Sequence, residues 1–147
     1  MDMTPQEYEQ LVEKHCKPSP LGKDMLWAFV IGGAICTLGQ GISDFWKAVG
    51  LDEKDAAAAT SITLIGLSAL LTGLHLYEKL AKHAGAGTLV PITGFSNSVA
   101  SPALEFKSEG FILGTGAKMF TIAGPVIVYG ISASILYGIL LVIFGAA

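Results

Sequence analysis

Arginine is missing from this chain: all nine basic residues are lysines, set against twelve Asp and Glu for a net charge of −3. With no arginine and no basic patch interleaved with aromatics, the sequence argues against a nucleic-acid partner. Charge of either sign is scarce. Only 14% of the 147 residues are charged while 52% are hydrophobic, and the mean hydropathy is +0.59, which is too apolar for an ordinary soluble domain. Cysteine is limited to Cys16, in a polar tail, and Cys36, in an apolar run. That placement argues against a disulfide, and the pair has no metal spacing. His75, beside Tyr77 at the end of an apolar run, reads as an interfacial anchor, since no second histidine stands at metal spacing. No nucleophile–base pair appears at useful spacing, so neither an enzyme nor a cofactor is expected. The first 24 residues are acidic and lack an apolar core, which argues against a signal peptide.

What is present is apolar runs of membrane length. Met25 to Ser43 carries no charge and is just long enough for a hydrocarbon core of about 30 Å at about 1.5 Å per residue. Trp27 and Trp46 bracket it where interfacial aromatics belong. Ala56 to Tyr77 is a second uncharged run, and a third closes the chain. The fold class expected is an all-α integral membrane protein: three full spans, at about 25–45, 56–77 and 119–143, with a broken or re-entrant helical segment over about 84–118. A polar tail, 1–24, precedes this membrane domain, 25–147. Thr4, Pro5 and Glu7 look like a helix start, Tyr8, Leu11 and Val12 like its apolar stripe, and Lys17-Pro18-Ser19-Pro20 like its stop. Gly33, Thr37 and Gly41, and again Gly130, Ser134 and Gly138, recur at every fourth position, as small-residue ladders that let another helix approach closely. Between Gly110 and the end, a short half-helix over Phe111 to Lys118 is expected before the last span, since one helix of that length would exceed a bilayer.

Ala84 to Gly110 is the stretch that does not belong among spans. It holds glycines, two prolines and a run of small polar residues, then alternates Glu105, Lys107 and Glu109. Irregular backbone at membrane depth persists only where protein buries it or where it lines a wet cavity. Pro91 suits a helix start. From there Thr93, Asn97, Ser101 and Glu105 fall at every fourth position, one polar stripe along a helix. Pro102 would free the carbonyl of Ser98 and bend that helix. Two readings stay open. The stripe lines a path, together with Lys107, Glu109, Lys118 and Gln40, or its hydroxyls and amide join this helix to its neighbours. Gln40 serves equally as an ordinary interhelical hydrogen bond, and the Glu105–Glu109 cluster as an interfacial turn.

The lysines test the topology. If 84–104 crossed fully, they would divide five (Lys14, Lys17, Lys23, Lys79, Lys82) against four; if it dips and returns, Lys107 and Lys118 join the first set and the division is seven against two. The positive-inside tendency favours the dip, with the N-terminus cytoplasmic. A Phe-apolar-apolar-Gly opening shared by Phe29–Ala34 and Phe111–Ala117 leaves an internal repeat of the transporter kind open.

HAGAGTLVPITGFSNSVASPALEFKSEGFILGTGAKMF, His83 to Phe120, with GGAICTLGQ at Gly32 to Gln40 and LTGLHLYEKLAKHAGAG leading in, resembles the SpoVA membrane protein family, of the SpoVAC/SpoVAEB type, over nearly the whole chain from Trp27 to about Tyr137. The resemblance implies a subunit of the complex that moves dipicolinic acid (pyridine-2,6-dicarboxylic acid) with calcium into the developing endospore and out at germination. It implies a place in the spore inner membrane and channel-like behaviour responsive to membrane tension. The implied partners are a smaller related membrane subunit, AEb, and a soluble thiolase-like, dipicolinate-binding subunit, AD, in a hetero-oligomer surrounded by lipid. Glu105 and Glu109 would meet calcium transiently as hard oxygen ligands, and Lys107 or Lys118 would offer the dianion a weakly held charge. A non-conducting structural subunit of that complex and an ion-coupled secondary transporter are the alternatives.

Overall fold

The computed structural model describes Thr4, Tyr8, Val12 and residues 20–145. Of the N-terminal helix expected from the sequence, Tyr8 and Val12 are helical and exposed, and the Tyr8 amide donates to Thr4 O at 3.1 Å. Pro5, Glu7, Leu11, Cys16 and 17–19 lie outside the described residues, as do Lys14 and Ala146–Ala147.

All regular structure among the described residues is helical. Helix α1, Leu21–Ala48, begins after Pro20, with Asp24 in its first turn and Lys47 in its last, each complementing the helix dipole. Residues 49–52 turn the chain back. Asp52 caps α2, Glu53–Gly73, by accepting the Asp55 amide at 2.8 Å. The two helices pack antiparallel, with Trp46 Nε1 donating to Thr63 Oγ1 at 3.2 Å and Gly39 facing Leu64. The face where α1 begins and α2 ends is called near below, and the opposite one far.

His75 breaks the chain after α2 by adopting φ 56°, a left-handed conformation unusual for a residue with a side chain. The short helix α3, Leu76–Ala84, follows, then a single turn, α4, Ala86–Leu89. Gly87 lets α4 lie backbone to backbone on α1. A Cβ there would collide with the main chain of Ala28, and one on Gly32 would stand 3.3 Å from Gly87.

Pro91 then starts α5, Ile92–Glu105, which runs on through Pro102. Its direction follows from its partners on α2: Ser68 Oγ donates to Thr93 O at 2.6 Å and Thr72 Oγ1 to Asn97 Oδ1 at 2.8 Å. A third bond, Ser96 Oγ to Ile65 O at 2.9 Å, runs the opposite way along α2, so α5 crosses α2 at an angle, and the chain from Ser101 to Lys107 borders the same cleft as Thr72, Gly73 and His75 toward the near face. Thr93 lies level with Ser68, about 7.5 Å inside the near end of α2. The 14 residues of α5 rise about 21 Å, short of a full crossing. This length and placement are compatible with a central segment that enters from the near face and returns to it.

A turn over Lys107–Glu109 leads to Gly110, φ 98°, and into a π-wound stretch, Phe111–Gly116, with the Thr115 amide bonded to Gly110 O at 3.0 Å. This continues without a break into α6, Ala117–Ile143. The half-helix expected over Phe111 to Lys118 is thus present only as a differently wound first turn, and the helical run is 33 residues long. The wider winding has room because Gly114 sits against Phe106 O and Glu109, where a Cβ would find 2.7–2.8 Å. Helix α6 returns antiparallel to α5, and Lys118 Nζ stands 4.8 Å from the centre of the Phe106 ring.

Three helical runs, Leu21–Ala48, Glu53–Gly73 and Phe111–Ile143, are long and apolar enough to cross a membrane. Their outward side chains, Phe29, Leu38, Ile62, Leu70, Val128 and Leu136 among them, are exposed, as lipid-facing residues are. The buried interior is small and largely polar. Ser68, Thr72, Thr88, Thr93 and Ser96 are buried with Ala56, Tyr77, Ala84 and Ala123. This is the chemistry of membrane bundles, where close packing and hydrogen bonds replace a hydrophobic core.

Candidate functional site

The polar stripe lies along one face of α5 and is graded by depth. Thr93 at the inner end is buried, Asn97 and Ser101 are half-buried, and Glu105 at the near face is exposed. Two clefts flank it. The larger, about 720 Å³, runs between the stripe, the end of α2 (Thr72, Gly73) and the α3 region, with His75, Glu78, Glu105 and Lys107 around its mouth. The smaller, about 440 Å³, lies between α5 and α6 and reaches inward to Tyr77, Thr88 and Gly94, with Lys118 and Thr121 on its outer wall. Asn97, Ser101 and Glu105 border both.

The inner end is held by side chains that the stripe alone does not reveal. Tyr77 Oη donates to Thr88 O at 2.7 Å and lies 3.2 Å from Thr93 Oγ1, which ties α3 to the break between α4 and α5. Tyr77 stands outside the three spans. Burial pushes its phenol above its ordinary value, and the Thr93 bond pulls the other way, so the hydroxyl stays protonated and donates. Ser96 Oγ donates to Ile65 O at 2.9 Å. Gly94 has to be glycine, since a Cβ would collide with the carbonyls of Thr88 and Leu89. Ser68 and Thr72, one helical turn apart on α2, are the partners of Thr93 and Asn97; their spacing, matched to the stripe, is the signal that sequence reasoning passed over.

The remaining candidates divide. Lys107 borders the larger cleft and Lys118 the smaller. Glu109 is exposed in the near-face turn and borders neither. Gln40 is also away from both, because its Nε2 is turned along α1 to Asp44 Oδ1 at 2.8 Å. Glu105, Lys107, Glu109 and Lys118 form no ion pair with a described residue, and among the described residues no three His, Cys, Asp or Glu are grouped to hold a metal ion. Of the ladders, Gly33, Gly41, Gly130 and Gly138 meet nothing within 4 Å, where a Cβ would stand, inside this chain. Thr37 and Ser134 bond back to Gly33 O at 2.9 Å and Gly130 O at 2.8 Å. Both ladders face outward, and the close approaches on α1 fall on Gly32 and Gly39.

A charged mouth, a polar stripe and a broken helical segment between apolar spans are thus the framework, and residues 24–140 match the SpoVAC/SpoVAEB sporulation membrane protein family. The chain belongs to that family. It is 43% identical over 136 residues to the stage V sporulation protein AC of Bacillus subtilis (strain 168), covering 92% of this chain and 91% of that protein. No solved structure matches it. Membership makes it an integral membrane protein of sporulation and supports partnership with other SpoVA subunits.

Proposed function

We propose that this SpoVAC/SpoVAEB protein is a pore-lining subunit of a channel that carries dipicolinate with calcium into the developing spore and releases it at germination, in the forespore and later spore inner membrane. The observation that supports this is the placement of Asn97, Ser101 and Glu105 between two open clefts along α5. The dianion would meet the Asn97 amide, Lys107 and Lys118; calcium would meet carboxylate oxygens at Glu78 and Glu105. None of these groups is arranged as a tight cage, which suits conduction, where a solute has to leave as readily as it enters. The role is passage without catalysis.

The stripe serves only part of the way. Beyond Ile65, where Ser96 bonds, about 18 Å of α2 remains to its far end, and among the described residues α5 makes no hydrogen bond there. The far portion of the path therefore falls to neighbouring subunits, AEb and further copies in the membrane, with AD delivering or accepting dipicolinate at the near, cytoplasmic face.

The test is release of dipicolinate from liposomes holding the chain alone and then with both partners, under isotonic and hypo-osmotic conditions. Asn97→Leu and Ser101→Leu are expected to abolish flux while co-purification with the partners persists. Normal flux through both variants would overturn the path. The hydrogen bonds from α2 to Thr93 and Asn97 favour a second reading, a non-conducting subunit whose stripe is structural, and in that case the same variants lose the partners instead.

A further inference from the structure

The two clefts differ in chemistry. Around the larger stand Glu78, Glu105, Lys107 and His75, a setting for ions. The smaller, about 440 Å³ between α5 and α6, is walled by Leu89, Gly94, Pro102, Phe106 and Ile122. Leu89 and Ile122 are exposed, as side chains that meet lipid are, so this cleft opens sideways into the membrane. At its inner end the Tyr77 hydroxyl is already spent on Thr88 O at 2.7 Å. Ser98 and Thr121 bond back to Phe95 O and Ala117 O on their own helices, and no buried side-chain nitrogen or oxygen among the described residues lacks a partner. Asn97, Ser101 and Glu105 are shared with the larger cleft. What belongs to the smaller cleft alone therefore suits an apolar group better than an ion.

Lys118 is the exception, and among the described residues it is the one cation on this cleft. Its Nζ stands 4.8 Å from the centre of the Phe106 ring and forms no ion pair with a described residue, which leaves its charge for an anion from outside. Its depth says what kind of anion. Beyond it, Met119 to Ile143 carries no charge, and that run, about 37 Å long, covers a hydrocarbon core of about 30 Å. Lys118 thus falls at the level of the near-face headgroups, and the cleft leads inward from it. Charge outside and apolar surface inside is the order of a lipid. We propose that the cleft between α5 and α6 is a binding site for an anionic phospholipid of the near leaflet, with the phosphate at Lys118 and part of one acyl chain between the two helices. A net negative head keeps the full attraction of a lysine, which a zwitterionic head gives up in part to its own ammonium group. The site does not depend on conduction; where the clefts conduct, lipid phosphate and dianion compete for Lys118.

The experiment is native mass spectrometry of the detergent-solubilised full chain, titrated with phosphatidylglycerol and, separately, with phosphatidylcholine of the same acyl chains. The wild type is expected to hold the first about fivefold more tightly, the value of one lysine facing an anionic lipid. Lys118→Gln should remove that preference and Lys118→Arg should keep it. Lys79→Gln, on α3 and outside the cleft, should leave it unchanged. Equal affinity for the two lipids in the wild type, or an undiminished preference in Lys118→Gln, overturns the site. An equal fall in Lys79→Gln also overturns it, since general surface charge would then be the cause. Ile122→Trp narrows the cleft and is expected to weaken retention of both lipids; full retention refutes the placement of the chain. Displacement of phosphatidylglycerol by equimolar glycerol 3-phosphate would mean an anion site with no use for a chain, and refutes it too. No readout here needs flux, so loss of the lipid site leaves the pore standing, and a chain that passes nothing leaves the lipid site standing.

Discussion

Tyr77→Phe isolates one atom that holds the broken central segment in place. The ring is buried at 3% exposure and Phe retains it, so the change removes only the hydroxyl and its contacts with Thr88 O at 2.7 Å and Thr93 Oγ1 at 3.2 Å. Interhelical hydrogen bonds in membrane bundles average about 0.6 kcal/mol and reach about 1.7, because the unfolded chain in lipid finds partners of its own. The upper end applies here. Thr88 is 2% exposed, its carbonyl lies at a helix break with no other donor among the described residues, and a buried acceptor left bare costs about 1–3 kcal/mol. The expected loss is about 1.4 kcal/mol, roughly a tenfold shift in the folding equilibrium, read by denaturant titration of the detergent-solubilised protein. Thr93→Val is the control. It removes the longer contact, leaves Thr93 O with Ser68, and should cost less than half as much. A Tyr77→Phe change below about 0.5 kcal/mol, or a Thr93→Val change equal to it, would refute the assignment of the Thr88 carbonyl as the group that matters.

Gly87→Ala drives a Cβ into the Ala28 backbone and is expected to destabilise by about 1–3 kcal/mol, as overpacking does, with a matching drop in folded yield; neutrality would mean that α4 does not lie on α1. Cysteines placed at Lys23 and Lys107, in a background without Cys16 and Cys36, should label from one side of the membrane and one at Lys54 from the other. Labelling of Lys107→Cys with Lys54→Cys would replace the dip with a full crossing.

The parts of the fold carried by composition were readable in advance. Uncharged runs of membrane length became helices of membrane length, and the fourfold spacing of Thr93, Asn97, Ser101 and Glu105 became one face of α5. Spacing does not give phase. Gly32 and Gly33 are neighbours, each a fair start for a ladder on α1, and which of them meets a backbone depends on where α4 lies. Likewise Ser68 and Thr72 are unremarked polar residues within an apolar run until α5 is laid beside them, and Tyr77 acquires its partners only because His75 takes a left-handed turn that no residue pattern advertises. Gln40 shows the converse: a polar side chain in a span found its partner, Asp44, along its own helix.

Helix α6 is gripped at one end. It packs on α5 and the turns before it, with Ala123 buried, while from Val126 to Phe144 every large apolar side chain except Leu141 is exposed. From Ala123 to Phe144 the free arm is about 32 Å long. A tilt of about 5° at its root moves its tip by about 3 Å, so a neighbour that grasps the outer arm has leverage over the wall of the smaller cleft, where Lys118, Thr121 and Ile122 stand.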